Sequence, residues 1–288
     1  MTSESTNTTG HRPDDPTPPA ATGSPTSPRR LIGIDVGGTG VKGGIVDLEA
    51  GDLVGERYRI PTPKPATPEA VAGVIKQIVD ELQSREGAPA PDTPIGVIVP
   101  SIVEHGVTLL AANIDPSWVG ADIAGLLERI LERPIAALND ADGAGLAEVL
   151  YGAGKGVDGT VLVITLGTGI GSALIVDGKL VPNAELGHLE LDGHDAEKRA
   201  SASARERDDL SFKKWATKRL QPYFKHVEML FTPSLFIIGG GISKKADKYL
   251  PLLNLRTPMK VAQLRNNAGI VGAALWAEGE TVTTTGEA

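Results

Sequence analysis

The 288-residue chain contains no cysteine, and this absence removes two classes of chemistry. Disulfide bonds and thiolate metal sites are excluded, and a reducing cytoplasm is the compartment that suits such a chain. The sequence also lacks an excess of positive charge, since its net charge is −8. It therefore has no global basic field for nucleic acid or an acidic membrane, and any anion site must be built locally.

Long apolar runs are absent as well. No segment reaches the roughly 18 consecutive apolar residues that indicate a membrane-spanning helix. Residues 1–30 contain no Leu, Ile, Val or Phe but many Thr, Ser and Pro. Such a segment cannot bury enough apolar surface to become ordered, so we expect a disordered tail. It lacks the apolar stretch of a secretory signal and the amphipathic helices of a DNA-binding helix-turn-helix.

A repeated hairpin is the most informative feature that is present. IGIDVGGTGVKGGIVD (Ile32–Asp47) and VITLGTGIGSALIVD (Val163–Asp177) each contain an apolar strand, a Gly/Thr turn and a second apolar strand. A shift of 130 positions carries Gly37 onto Gly167 and Asp47 onto Asp177. This register predicts a duplicated unit, with two similar lobes whose turns face each other across a cleft.

Helical and extended patterns alternate through the rest of the chain, which predicts an α/β fold. Thr67 followed by Pro68 is typical of a helix start. The stretch Ile95–Pro100 has no polar face and predicts a strand buried on both sides. Further predicted elements are a helix at Asp122–Leu131, a strand at Pro134–Asp140, a helix at Ala141–Gly152, a strand and glycine turn at Ser234–Ser243 followed by a helix, and a helix at Asn266–Ala277.

Three glycine-rich turns are candidate phosphate sites. In DVGGTG (Asp35–Gly40), residues without Cβ let backbone N–H groups approach an anion, and Asp35 could hold a water bound to Mg²⁺. An ordinary hairpin turn is the alternative, and Gly43 after Lys42 excludes a Walker A loop. TLGTGIGS (Thr165–Ser172) and IIGGGIS (Ile237–Ser243) are also weak alone, but three such turns at strand ends together favour phosphate binding.

Polar residues at two further places suggest an acceptor site. Asn139 and Asp140 lie where a strand becomes a helix, and a carboxylate there can take a proton from an attacking hydroxyl. The alternative is that Asp140 or Asp142 merely caps the helix. The stretch Asn183–Ser201 is rich in carboxylates and histidine, and binding of sugar hydroxyls fits it better than a metal cage does.

These motifs resemble those of the ROK family of sugar kinases, within the actin/hexokinase-like superfamily. The motifs are DVGGTG at Asp35, ND at Asn139, LGTG at Leu166, ELGH at Glu185, IGGG at Ile238 and AGIVG at Ala268. The segments PTPKPATPE, AANIDPSW, YGAGKG, LVPNAELGHLE and GGGISKKADKYLP resemble the actinobacterial polyphosphate/ATP glucokinases and glucomannokinases in particular. The resemblance covers nearly everything from Leu31 to Ala277.

The resemblance implies an actin/hexokinase-like (ribonuclease H-like) duplicated two-lobe α/β fold with a central cleft. Residues 31–138 would form the small lobe, to which a C-terminal helix at 266–279 returns, and residues 139–265 would form the large lobe. The implied reaction is phosphorylation of glucose or mannose at the 6-hydroxyl, with inorganic polyphosphate or ATP as the donor.

The resemblance also implies roles for single residues. Asp140 matches the catalytic base that activates the sugar hydroxyl. The sugar-contacting positions would be Asn113, Asn139, Asp140, Glu185, His188 and Glu197. The phosphate- and nucleotide-binding positions would be Asp35, Gly37, Gly38, Thr39, Gly40, Lys42, Thr168, Gly169, Gly240 and Gly241.

The implied cofactor is Mg²⁺, which accompanies the phosphate donor. The zinc motif of many ROK proteins needs cysteines that this chain lacks, so we expect no structural zinc. We also expect a cytoplasmic homodimer with no nucleic-acid or membrane partner. Lys155, Lys244, Lys245 and Lys248 suit an extended polyphosphate, although a solvated helix face is the alternative.

Two departures and two rival functions stay open at this level. Ser101 replaces a usual glycine near the sugar, and Gly143 lowers helix propensity by roughly 1 kcal/mol where a small non-glycine residue is usual. An N-acylhexosamine kinase would share the same site residues. A sugar-binding regulator is the other rival, although the lack of a helix-turn-helix and the presence of Asp35 and Asp140 argue against it.

Overall fold

The computed structural model describes residues 29–110 and 114–284, so Asn113 and the predicted tail up to residue 28 lie outside the described residues. The strands are β1 (Arg30–Gly37), β2 (Gly40–Asp47), β3 (Asp52–Leu53), β4 (Tyr58–Ile60), β5 (Ile95–Val99), β6 (Val103–Glu104), β7 (Val107–Thr108), β8 (Ile135–Asn139), β9 (Thr160–Leu166), β10 (Ile170–Val176), β11 (Lys179–Val181), β12 (Glu190–Leu191), β13 (His194–Asp195), β14 (Leu235–Gly239) and β15 (Met259–Val261).

The α-helices are α1 (Pro68–Gln83), α2 (Ile123–Leu131), α3 (Asp140–Leu150), α4 (Glu197–Ala200), α5 (Ala202–Arg207), α6 (Phe212–Trp215), α7 (Gln221–Phe231) and α8 (Ala268–Thr284). A π-helical turn, Ala216–Leu220, joins α6 to α7. The 3₁₀ helices are Pro116–Trp118, Leu186–His188, Gly241–Lys248, Leu250–Leu252 and Arg265–Asn267. Among the described residues, no helix combines the length and the apolar character that crossing a bilayer requires.

The first sheet has the strand order β3-β2-β1-β5-β8, with β4 also paired to β2. Strands β1, β5 and β8 run parallel, whereas β2 returns antiparallel to β1. Every residue of β5 is buried, as the absence of a polar face predicts. Helix α1 covers one face of this sheet, and its start matches the prediction because the Thr67 side chain accepts a bond from Ala70 N–H.

The second sheet repeats the first, with the order β11-β10-β9-β14-β15 and with β9, β14 and β15 parallel. The shift of 130 positions carries the bounds of β1 and β2 almost onto those of β9 and β10. The turns differ, because Gly37 pairs with Gly40 but Leu166 pairs with Ile170, which leaves one more residue in the second loop. The duplicated α/β fold is therefore confirmed.

Helices α3 and α8 lie between the two sheets and pack against each other. Helix α8 contacts β1, β5 and β8, while α3 contacts β9 and β10. The outer face of the second sheet is covered by an aromatic core that includes Trp215, Tyr223, Phe224 and Tyr249. The amino ends of α3 and α8 thus both lie near the carboxyl ends of central strands.

Several local predictions need correction. The chain enters β1 at Arg30, the last residue of the predicted tail. The segment after the third glycine turn is not an α-helix but a 3₁₀ helix with non-helical φ and ψ at Lys245. The last helix begins at Ala268 rather than Asn266, because Arg265–Asn267 form a separate 3₁₀ turn.

Candidate active site

A cavity of about 250 Å³ opens where α3 and α8 begin. The first residues of both helices line it, so the positive ends of two helix dipoles face the same space. Such a place favours negatively charged ligands, phosphate above all. The polar side chains around it are Asp35, Lys42, Asp140, Thr165, Arg265 and Asn266.

Asp140 is the first residue of α3 and remains open to solvent at this cavity. Its Oδ1 accepts a 2.8 Å bond from Ala141 N–H, and its Oδ2 has no hydrogen-bond partner among the described residues. Desolvation by the surrounding protein raises the pKa of Asp140 to about 6, and the charges of Asp35 and Glu185 add to this rise. The carboxyl can therefore change protonation state near neutral pH.

The helix cap is Asn139, which corrects the alternative that Asp140 or Asp142 caps α3. Asn139 Oδ1 accepts bonds from the N–H groups of Ala141 (2.8 Å) and Asp142 (3.2 Å). Its Nδ2 donates to Ser101 O at 3.0 Å. Both ends of the Asn139 side chain are thus bound within the protein, and the cap leaves Asp140 free.

Ser101 does not present its hydroxyl to the cavity. The residue is buried, and its Oγ donates to Leu110 O at 2.6 Å. Leu110 N–H in turn donates to Ser101 Oγ at 3.2 Å. The serine that replaces a usual glycine therefore fastens the β6–β7 hairpin to the end of β5.

The first glycine turn is bordered by basic side chains. Lys42 Nζ lies 2.9 Å from Asp35 Oδ2, across the paired strands β1 and β2. Arg59 on β4 donates from Nη2 to Thr39 O at 2.7 Å, and a Cβ on Gly40 would collide with its guanidinium. Gly38 and Thr39 remain exposed at the tip, so their backbone N–H groups are accessible to a ligand.

The second and third turns support each other. Glu197 Oε2 accepts a 3.0 Å bond from Ile170 N–H, and a Cβ on Gly169 would collide with the same carboxylate oxygen. In the third turn Gly240 has a φ of +80°, and a Cβ there would collide with the backbone of Leu166. Only glycine fits this position without strain. Thr168 and Gly241 are exposed beside these contacts.

The predicted sugar residues of the second lobe lie close together. Glu185 is half-buried, and burial raises its pKa, with Glu197 adding to the rise and His188 opposing it. His188 Nδ1 lies 3.8 Å from Asp195 Oδ2. Ser172 holds this segment on β10, because its Oγ accepts a 2.8 Å bond from Leu186 N–H and donates to Ala184 O.

Sequence reasoning missed Arg59, Thr165, Arg265 and Asn266. Arg265 and Asn266 lie in the 3₁₀ turn before α8, and the only sequence signal was a basic residue before a helix of small residues. Arg265 has a φ of +51°, so its direction depends on a turn that periodicity does not reveal. Thr165 lies within the second predicted motif, where only the glycines and Thr168 were assigned a role.

Comparisons with known proteins find similar sugar kinases. The chain is 49% identical over 257 residues to the polyphosphate glucokinase of Mycobacterium tuberculosis (strain CDC 1551 / Oshkosh), covering 89% of this chain and 94% of that protein. It is 64% identical to the crystal structure of the inorganic polyphosphate/ATP-glucomannokinase from Arthrobacter sp. strain KM, with a TM-score of 0.81 and coverage of 87% and 99%.

A third relative extends the likeness. The ROK family glucokinase from Streptomyces griseus, solved with glucose and AMPPNP, is 25% identical with a TM-score of 0.73, and the match covers 87% of this chain and all of that one (100%). The sequence model of the ROK family matches residues 31–208, which is more than half of the chain. The duplicated sheets, the three glycine turns and these matches lead to one conclusion: the chain belongs to the ROK family.

Proposed function

We propose that this protein transfers a phosphoryl group from inorganic polyphosphate or ATP to the 6-hydroxyl of glucose, and of mannose as a second hexose. The relatives named above support this assignment through their high identity and nearly complete coverage. The observation that carries the chemistry is Asp140, a carboxyl with a free oxygen at a cavity that two helix N-termini make favourable for phosphate.

In this reaction Asp140 is the general base. The 6-hydroxyl oxygen forms a bond to phosphorus as the bond between phosphorus and the departing phosphate oxygen breaks. The hydroxyl proton passes to Asp140 Oδ2, which has no hydrogen-bond partner among the described residues. A pKa of about 6 leaves the carboxylate mostly ionised at neutral pH, as a base must be. The remaining catalysis is positioning and charge stabilisation.

The donor phosphates would lie against the glycine turns. Gly37, Gly38, Thr39 and Gly40 offer backbone N–H groups from one lobe, and Thr168, Gly169, Gly240 and Gly241 offer them from the other. Lys42 and Arg265 add positive charge beside the reacting phosphate.

A magnesium ion fits this donor set. Asp35 and Asp140 supply hard oxygen atoms at one cavity. Among the described residues, no group of three or more His, Cys, Asp or Glu side chains could hold a metal alone. This suits an ion that is bound by one or two carboxylates together with phosphate oxygens. When bound, the ion would neutralise charge on the phosphates, and we assign Asp35 to it because Asp140 must stay free for the proton.

The acceptor sugar would be held by Glu185 and His188, with Glu197 and Asn139 beside them. Carboxylates accept hydrogen bonds from vicinal hydroxyls, and histidine can donate or accept. Glu197 also binds the second turn, so it would connect the sugar to the phosphates. Asn139 contributes mainly by directing α3, since its side-chain atoms are already bonded within the protein.

Further proposals concern the whole protein. We place the lobe boundary at residues 138 and 139, with α8 returning to the first lobe against β1, β5 and β8. We also propose a homodimer that acts in the cytoplasm. Light scattering of the purified protein tests the dimer, and limited proteolysis tests the boundary.

A donor and acceptor panel tests the function. The enzyme should form glucose 6-phosphate with polyphosphate as sole donor, and also with ATP. Mannose should be phosphorylated, whereas N-acetylmannosamine and N-acetylglucosamine should be poor acceptors. A strong preference for the N-acetyl sugars would replace the proposal with an N-acylhexosamine kinase. Glucose binding without turnover from any donor would indicate a regulator.

A further inference from the structure

A cluster of lysines lies outside the cavity that carries the chemistry. Helix α6 and the turn after it supply Lys213, Lys214 and Lys218, and the 3₁₀ helix Gly241–Lys248 supplies Lys244, Lys245 and Lys248. We call these six residues the basic face. All six are exposed, although the chain has only 28 basic residues against 36 acidic ones.

Phe212 joins the two halves of the basic face. Lys248 Nζ lies 5.7 Å from the centre of the Phe212 ring, and the Arg205 guanidinium lies 4.6 Å from it. The ring also stacks on Tyr249, with the two centres 6.2 Å apart. Two segments that are distant in sequence therefore meet at the Phe212 ring, where Lys248 and Arg205 make cation–π contacts, and Lys213 and Lys214 follow Phe212 directly in sequence.

The lysines of the basic face have no carboxylate partners among the described residues. Lys42, Lys76 and Lys198, in contrast, each form an ion pair of 2.9 Å or shorter. The stretch from Leu210 to Val227 contains no Asp or Glu, and Asp247 is the one carboxylate within the 3₁₀ helix. The exposed carboxylates just before this stretch include Glu206 and Asp208, which pair with Arg205 and Arg207 and not with the lysines. Uncompensated like charges repel, so such a surface is best explained by an anion that it binds.

The basic face begins beside the phosphate turns. The 3₁₀ helix follows Gly240 directly, and Gly240 packs on the backbone of Leu166 at the second turn. Ser203 N–H at the start of α5 donates to Gly167 O at 3.1 Å. An anion that leaves the second and third turns along this side therefore meets α5, α6 and the 3₁₀ helix next.

We propose that the basic face binds the part of an inorganic polyphosphate chain that extends beyond the reacting phosphates. The inference rests on the proposed function for the reaction itself, and it adds the path of the long donor. A nucleoside triphosphate has only three phosphates and would engage few of these lysines. The basic face thus favours long polyphosphate over ATP by binding the polymer more tightly, and it leaves the rate of phosphoryl transfer unchanged.

Paired substitutions with a matched control test this path. Lys213→Ala/Lys214→Ala and Lys244→Ala/Lys248→Ala each remove two charges from the basic face. Lys76→Ala/Lys179→Ala removes two exposed lysines from elsewhere, since Lys76 lies on α1 and Lys179 on the far edge strand β11. The KM and kcat of each protein are measured with long polyphosphate, tripolyphosphate and ATP across a salt series.

Each basic-face variant should raise the KM for long polyphosphate roughly tenfold and flatten its salt dependence, because fewer counterions are released. The kcat, and the KM for tripolyphosphate and ATP, should stay within about twofold of the wild type and of the control. An unchanged KM for long polyphosphate in both variants would overturn the inference, as would an equal rise for ATP.

Direct binding of long polyphosphate, measured by calorimetry, separates this inference from the proposed function. Wild-type protein that binds the polymer through the basic face but transfers no phosphate would refute the function and keep the inference. Wild-type protein that uses polyphosphate with equal affinity in all variants would keep the function, and the lysines would then be a solvated surface only.

Discussion

Two carboxyls in the first turn of α3 have contrasting surroundings. Asp140 reaches the cavity with one oxygen free of partners among the described residues. Asp142 is fully buried, and its Oδ2 accepts a 2.7 Å bond from Asn183 N–H. Asn183 in turn bonds through its side chain to both the N–H (3.1 Å) and the O (2.8 Å) of Val103. One carboxyl therefore faces the cavity, and the other holds the segment that leads to Glu185.

Asp140→Asn should keep the fold and most of the glucose affinity while kcat falls by about 10²–10⁴-fold. The amide conserves the shape of the side chain but cannot accept the hydroxyl proton. Steady-state kinetics measure the loss, and thermal unfolding with and without glucose checks that the variant is intact. A variant that keeps more than about a tenth of the wild-type kcat would remove Asp140 from the role of base.

Asp142→Asn should change how stability depends on pH. Burial raises the pKa of Asp142 to about 7, so the folded protein binds a proton that the unfolded chain releases at about pH 4. Its contribution to stability is therefore largest in acid and is lost as pH rises towards 7. Relative to the wild type, the variant should gain at least about 1 kcal/mol of unfolding free energy between pH 5 and pH 8.

Urea unfolding at the two pH values measures this difference. If the difference in unfolding free energy between variant and wild type is the same at pH 5 and pH 8, Asp142 is ionised in the folded protein.

The same variant serves as a kinetic control for Asp140. Wild-type kcat/KM should fall below an apparent pKa of about 6, because the base becomes protonated. Asp142→Asn should retain this acid limb. Its disappearance would assign the limb to Asp142.

At the scale of elements, α8 packs unusually close to its neighbours because glycines face it. A Cβ on Gly33 of β1 or on Gly96 of β5 would collide with the carbonyl groups of Ile270 or Ala273. A Cβ on Gly272 would likewise collide with the carbonyl of Gly143 in α3. The glycine at 143, which is unfavourable for an isolated helix, thus allows α3 to lie against β5 and α8.

Gly96→Ala should lower the free energy of unfolding by at least about 2 kcal/mol, because α8 must shift to accommodate the new methyl group. Gly73→Ala is a matched control, since Gly73 is exposed on α1 with open space around it. That variant should gain up to about 1 kcal/mol from helix propensity. Denaturant unfolding measures both, and equal effects would mean that the close packing of α8 adds no constraint.

The strands were largely predictable because their signals are local. Apolar runs bounded by glycine turns located β1, β2, β9 and β10, and the internal repeat predicted the duplicated sheets. The prediction of an α-helix after the third glycine turn was wrong, because Gly241–Lys248 form a 3₁₀ helix. Ile242 and Ala246 have helical spacing, but Tyr249, which follows this segment, packs against Trp215 with ring centres 5.0 Å apart. A contact between segments so distant in sequence leaves no mark on local periodicity.

The candidate site was predictable to a similar extent. Asp35, Lys42 and Asp140 lie in recognisable motifs, and the structure brings them to one cavity. Arg265 and Asn266 reach the same cavity only because α8 returns to the first sheet. Their role depends on tertiary placement, which no spacing in the sequence encodes.

At the scale of the whole molecule, an acidic protein brings several positive groups to one cavity, beside the carboxyls of Asp35 and Asp140. The net charge is −8, yet the cavity between the sheets receives two helix N-termini, Lys42 and Arg265. Helices α3 and α8 bring their N-termini to this cavity, and each packs against a different sheet.

Phosphoryl transfer by the whole enzyme should require Mg²⁺ or a similar hard cation and should be indifferent to zinc. Asp35 offers oxygen ligands beside a phosphate site, and the chain has no cysteine with which to build a thiolate zinc centre. Dialysis against a chelator should abolish glucose 6-phosphate formation with either donor, added Mg²⁺ should restore it, and Tm should not change. Elemental analysis of the purified protein provides the check. Stoichiometric zinc, together with unfolding when that zinc is removed, would contradict the prediction, because binding of a structural metal is coupled to folding.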